Sequence, residues 1–240
     1  MRWQKIKSIF KKEFVSYFNS PIAYIFIGVF LVVSMWLFFQ DFFLLGQASI
    51  RSYLSLLPWI FLFLTPAITM RLWSEEKRSG TIEILLTLPI KDSEVVMGKF
   101  LSSLAFLAVN LLLSLTLPIT VAILGSLDLG PVIGGYLGAL FLGAAYLSLG
   151  LYISSLTRNQ IVAFLLAVVA SFILFIIGSS MVVDSVSLWL AKILSFIGLG
   201  SHFANIAKGV LDSRDIIYYI TFILFFLFLN TKALSTRHWK

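Results

Sequence analysis

Five stretches of this chain carry no charged residue over roughly the 20 positions that a helix needs to cross a bilayer. They are Ile22–Gln40, Tyr53–Met70, Phe100–Leu127, Val132–Thr157 and Gln160–Val183. A sixth, Ile216–Thr231, is shorter and rich in aromatic residues, and Lys232 can snorkel to lengthen it. Only backbone that satisfies its own hydrogen bonds survives in lipid, so six such runs predict six membrane-spanning helices. Composition agrees: 60% of the 240 residues are hydrophobic and 12% are charged, against about 45–50% and about 25% in soluble domains. The first run begins at Ile22 and is long enough to span, which is not the pattern of a cleaved signal.

The charges that remain set the expected orientation. Arg51, Lys192, Lys208 and Arg214 fall on one side of a six-span layout. The other 14 of the 18 basic residues fall on the opposite side, in the N-terminal segment, the second-to-third connection, Arg158 and the tail. The positive-inside rule puts that side, with both termini, in the cytoplasm. The net charge of +7 therefore reads as attraction to membrane lipids, and no nucleic acid is expected.

Two connections carry a pattern of their own. In residues 1–20, Trp3, Ile6, Phe10, Phe14 and Tyr17 recur at helical spacing with Lys5, Lys11 and Lys12 off the stripe. This predicts an amphipathic helix lying on the membrane surface. Between the fifth and sixth spans, "SLWLAKILSFIGLG" is apolar but too short to cross, so an interfacial or re-entrant segment is expected. Pro58, Pro66 and Pro118 are expected to kink their helices. Gly134 and Gly138 suit close packing within the subunit or against a second copy; Asn110 and Ser114 suit a hydrogen bond to a neighbouring helix or to a substrate. His202 reads as a surface contact rather than a ligand.

Chemistry is sparse. Cysteine is absent, which removes thiolate catalysis and Cys-ligated metals. His202 and His238 fall on opposite sides, and no H-E-x-x-H occurs, so no metal site is expected. Glu75 and Glu76 have no histidine nearby to complete an acid–base pair, and no catalytic residue is assigned. Gly98–Lys99 is followed by Phe100, so the chain has no phosphate loop and binds no nucleotide by that device. Energy for transport, if any is used, comes from another chain.

The densest charge lies in "RLWSEEKRSGTIEILLTLPI", residues 71–90. Helical spacing pairs Arg71 with Glu75 and Glu75 with Arg78. Gly80 ends that helix, Thr81 caps a second, short one, and Pro89 stops it. Asp92, Ser93 and Glu94 then start the helix of span three. Such a segment is either a solvated charge cluster or a docking helix for a cytoplasmic partner, since an apolar patch rimmed by charge suits an interface.

"EEKRSGTIEILLTLP" resembles the loop pattern of ABC-2-type transporter permeases. "SPIAYIFIGVFL", "PWIFLFLTPAITMRLWSEEKRSGTIEILLTLPI" and "SHFANIAKGVLDSRDIIYY" are similar to the small permeases of the gliding-motility subgroup. The resemblance implies a single permease domain over residues 1–240 in a bacterial inner membrane. It implies two six-span halves, a homodimer or a pair with a homologous permease, and one ATP-binding subunit under each half, carrying ATP and Mg. Residues 1–20 would be the elbow helix, with Trp3, Ile6, Phe10, Lys11, Lys12 and Phe14 on the membrane surface. The loop between spans two and three would be the coupling helix. Glu76, Gly80, Thr81, Glu83, Leu85, Leu86 and Pro89 match its motif. Gly80 and Pro89 are expected to shape the turn, Leu85 and Leu86 to anchor it, and Glu75, Glu76, Arg78 and Glu83 to pair across the interface. Residues 185–215 would form exoplasmic helices open to an auxiliary subunit. The family leans to export. The competing readings are a self-sufficient transporter or channel, a membrane enzyme, and a scaffold that moves nothing.

Overall fold

Helix occupies each apolar run, and no strand is present among the described residues. The computed structural model describes residues 2–45, 47, 49–83, 89–210 and 212–235. After α1 (Arg2–Phe18), α2 (Pro21–Leu45) opens on a proline, whose missing N–H costs nothing at a first helical position. There follow α3 (Arg51–Ser79), α4 (Asp92–Leu113), α5 (Thr116–Leu124), α6 (Leu129–Leu156) and α7 (Gln160–Ile176). Three short helices come next: α8 (Ser180–Val183), α9 (Leu188–Ile197) and α10 (Leu199–Ala207). The last is α11 (Ser213–Ser235). Asp128 accepts from Gly130 N–H at 3.1 Å to start α6, and Asn159 accepts from Ile161 N–H at 2.9 Å to start α7.

Among the described residues, five helical stretches are long and apolar enough to cross a bilayer: α2, α3, α4 with α5, α6 and α11. The fifth expected span is shorter than the sequence reading. α7 stops at Ile176 instead of continuing to Val183, and its 17 residues make about 25 Å, against a hydrocarbon core of about 30 Å. Beyond it, α9 and α10 meet at a bend of 74°. Gly198 at that bend lies against Gly178 at the end of α7, and Ile206 near the far end of α10 lies against Gly134 at the start of α6. Both ends of α10 thus sit at one end of the bundle. The short apolar run thus forms two short helices joined at a sharp bend, not one straight span.

α6 is the centre. In its most apolar window 67% of residues are buried, against 22% in α2 and 17% in α11. Its glycines are why. A Cβ on Gly134 would lie 2.5 Å from Ile206 O, and one on Gly150 would lie 2.3 Å from Thr69 Oγ1. These close approaches seat α10 and α3, so the small residues serve packing within the chain.

Pro118 acts as expected, but one turn upstream. A proline clashes with the carbonyl of residue i−4 and cannot donate to it. Here that carbonyl belongs to Ser114, at the break between α4 and α5. It accepts instead from Leu117 N–H and from the Tyr136 hydroxyl of α6, each at 3.0 Å. Pro58 and Pro66 lie inside α3, which continues through both. Asn110 donates to Phe106 O of its own helix at 2.8 Å, while Ser114 Oγ lies 3.1 Å from Tyr136 Oη.

His202 departs from the sequence reading, for it is buried. Its Nδ1 lies 2.5 Å from Asp215 Oδ1, its Nε2 lies 3.0 Å from Phe196 O, and its ring stacks on Tyr218 at 3.9 Å. The Tyr218 hydroxyl donates to Ile197 O, and that of Tyr219 donates to Leu199 O at 2.8 Å. The carbonyls at a helix end lack helical partners. α10 and α11 supply donors for those at the end of α9, which ties this bent pair to the last span.

A Gly150→Val substitution is expected to destabilise the chain by about 1–3 kcal/mol through overpacking against Thr69. Gly28→Ala, at a position with nothing within 4 Å, is expected to cause no loss. Thermal melting of the purified chain in detergent reads both.

Candidate functional site

The charged segment is not a separate loop. Arg71–Ser79 forms the last turns of α3, which runs unbroken for 29 residues and closes on Gly80 at φ 74°. That left-handed conformation is open to glycine at little steric cost. The helix therefore carries its own span out into a polar extension, and this extension has two faces.

The inward face is locked. Lys99, in the second turn of α4, is 1% exposed. Its Nζ donates to Glu76 Oε1 at 2.7 Å, Glu13 Oε1 at 3.0 Å and Leu72 O at 3.0 Å, and lies 4.9 Å from the centre of the Trp73 ring. An ammonium has three protons to place, and all three have acceptors here. That offsets the large cost of taking the charge out of water. The acceptors come from α1 and α3, so a single nitrogen joins three helices. Beside it Gly98 admits α1: an added Cβ would meet Ile9 Cγ2 at 2.7 Å.

Further contacts fix the same end. Lys77, also buried, donates to Ser155 O at the end of α6, where a cation also opposes the helix dipole. Ser154 Oγ donates to Met70 O at 2.9 Å. Arg71 lies 4.8 Å over the Tyr17 ring and makes no ion pair with Glu75; Glu75 and Arg78 make none with each other either. The Tyr17 hydroxyl lies 3.2 Å from Ser103 Oγ, and burial raises its pKa. Lys5 donates to Pro89 O, tying the returning chain to α1.

The outward face is open. Glu75, Arg78, Gly80, Thr81 and Glu83 are exposed. Thr81 to Glu83 form a helical turn in which Glu83 N–H donates to Gly80 O at 3.2 Å. The Thr81 hydroxyl does not cap this turn. It reaches back to Ser79 Oγ at 2.9 Å and Glu76 O at 3.4 Å, prolonging α3 instead. Leu85 and Leu86 lie outside the described residues. Between α1 and the end of α3 lies an open polar cleft of about 580 Å³, edged by Lys12, Arg71, Glu75 and Ser79.

The N-terminal segment forms a helix, α1, over Arg2–Phe18. Ile6, Phe10 and Phe14 are partly covered, Phe10 and Phe14 stack at 5.5 Å, and Trp3, Lys11 and Lys12 are exposed. Sequence reasoning missed Glu13 and Lys99. Glu13 lies on the side of α1 turned toward α4, and Lys99 was counted only as a topological charge. One signal was available. Lys99 adjoins 28 uncharged residues, where an unpaired charge is costly.

These features define a polytopic helical membrane protein whose structured polar end is built from α1, α3 and α4. The chain matches the family model for ABC-2 family transporter proteins over residues 7–231, and it belongs to that family. It is an ABC transporter permease, a membrane transport component of a family that generally works with an ABC ATP-binding subunit and dimerises. No curated protein matches the chain.

Lys99→Met leaves Glu13 and Glu76 facing each other without the cation and is expected to lower stability by about 3 kcal/mol. Adding Glu13→Gln and Glu76→Gln is expected to recover part of that loss. Melting temperatures of the single and triple variants, with the wild type, measure the difference.

Proposed function

We propose that this permease is one half of an ATP-driven exporter, gripped by a separate ATP-binding subunit through the turn that begins at Gly80. The observation that carries this reading is the Lys99 node. It makes the exposed turn continuous with three helices, so a force on the turn reaches the bundle without dissipating in a flexible loop. In this reading Glu75, Arg78 and Glu83 meet the subunit, and Leu85 and Leu86 enter its cleft. Glu76 holds the handle from inside. ATP and Mg bind the partner. Closure of two such subunits draws two handles together, and the two states must hold the handle differently for work to pass.

The distribution of basic residues supports a cytoplasmic location for this end and for both termini, in a bacterial inner membrane. The exposed apolar faces of α2 and α7 support pairing with a second copy. Exposed Leu188, Trp189 and Phe196 on α9 support an auxiliary partner at the opposite end. Outward transport is supported by the family's lean to export.

Replacing Leu85 and Leu86 with Asp is expected to leave membrane insertion intact while abolishing co-purification of the ATP-binding subunit. Glu75→Arg with Arg78→Glu is expected to weaken it. A full complex in the leucine variant, or transport by this chain alone in liposomes, overturns the reading.

A further inference from the structure

At the end of the bundle away from the Lys99 node, α3, α7 and α10 part to leave an open cavity of about 550 Å³, within the range of ligand pockets. Leu54, Pro58, Phe175 and Phe203 form its apolar walls, and Arg51 and Lys208 form its rim. Both basic side chains are exposed, and no carboxylate lies within 4.0 Å of either among the described residues. The walls are fixed: Leu54, Pro58 and Phe203 are buried, and Gly200 lets α10 close on Phe175, whose carbonyl would stand 2.7 Å from an added Cβ.

The geometry points to this cavity as a site for one membrane lipid with an anionic headgroup, its acyl chain against Leu54, Pro58, Phe175 and Phe203 and its phosphate between Arg51 and Lys208. Depth and charge select that occupant. Arg51 is the first residue of α3, and Pro58 lies seven residues further in, about 10 Å along the axis. The cations thus stand at the level where a spanning helix begins, and the apolar walls lie below them. A soluble anion has no use for those walls, and an uncharged amphiphile leaves both cations without a partner. Basic residues at the ends of spans commonly snorkel toward headgroups, but these two edge a cavity that can hold the chain attached to the headgroup. The comparable cavity between α2, α3 and α7, lined by Phe26, Phe30, Phe63 and Phe164, has no charged residue at its edge. The inference does not involve the ATP-binding subunit, so it stands or falls separately from the proposed coupling.

The test uses the full chain, delipidated in neutral detergent and titrated with two lysolipids of the same oleoyl chain. One carries phosphatidylglycerol and the other phosphatidylcholine, and native mass spectrometry counts the molecules retained. One anionic lysolipid is expected to be held about tenfold more tightly than its zwitterionic counterpart, as two nearby basic residues imply. Arg51→Gln with Lys208→Gln is expected to erase that preference while leaving the melting temperature unchanged, since both side chains are exposed. Lys192→Gln with Arg214→Gln, which removes the other two basic residues of this end, is expected to keep it. Ala204→Trp, which fills the cavity, is expected to reduce retention of both lysolipids. Glycerol 3-phosphate, a headgroup without a chain, is expected not to bind. An unchanged preference in the Arg51 and Lys208 variant overturns the site, as does equal loss in the Lys192 and Arg214 variant. Full retention in a folded Ala204→Trp variant also overturns it.

Discussion

A lysine with almost no access to water is tolerable only if its protons are taken up, and Lys99 makes that demand on three helices at once. Its position in α4 fixes where Glu13 of α1 and Glu76 of α3 must stand. Removing either carboxylate leaves the ammonium short of an acceptor, and removing the ammonium leaves two carboxylates facing each other. In a membrane no hydrophobic force drives helices together, and apolar contacts are non-directional, so such a cluster specifies orientation more sharply than the apolar contacts around it. The adjacent Gly98 supplies the space, and the contacts of Lys77 and Ser154 extend the same arrangement to α6.

The opposite end is held by different means. No basic cluster orders it. Its order comes from carbonyls around the α9–α10 bend: those of Phe196 and Ile197 at the end of α9 are satisfied by His202 and Tyr218, and that of Leu199 at the start of α10 by Tyr219. The buried Asp215 then orients the imidazole. Between the two ends, α6 is the common wall against which α3, α10 and α11 pack, with glycines where α3, α4 and α10 come close.

The helical character and the places of the long apolar segments were legible because uncharged length is a direct physical requirement for crossing lipid. That residues 187–200 make no ordinary straight span was legible for the same reason in reverse, the run being apolar but too short. The early end of α7 was not, since Ile177 and Gly178 continue the apolar pattern and hydropathy does not register a break. Gly80 announced its turn, and Asp92 and Glu94 announced the helix after it. The pairing of charges was misread because i, i+4 spacing considers one helix at a time. Arg71 found an aromatic ring on α1, and Glu76 found a lysine 23 residues away on α4. His202 was missed likewise, its partner lying 13 residues on, beyond a turn.

The continuity of α3 has a mechanical corollary. Its polar overhang, Arg71–Ser79, is about 13 Å long and the part before it about 30 Å. If the helix pivots where it leaves the apolar layer, the overhang is the short arm of a seesaw and the buried stretch the long one. A push on the short arm then appears at the far end enlarged about twofold and reversed in direction. α6 is fastened to the long arm at Thr69 and Leu54 and to the overhang at Lys77, so such a tilt of α3 would carry the central helix with it.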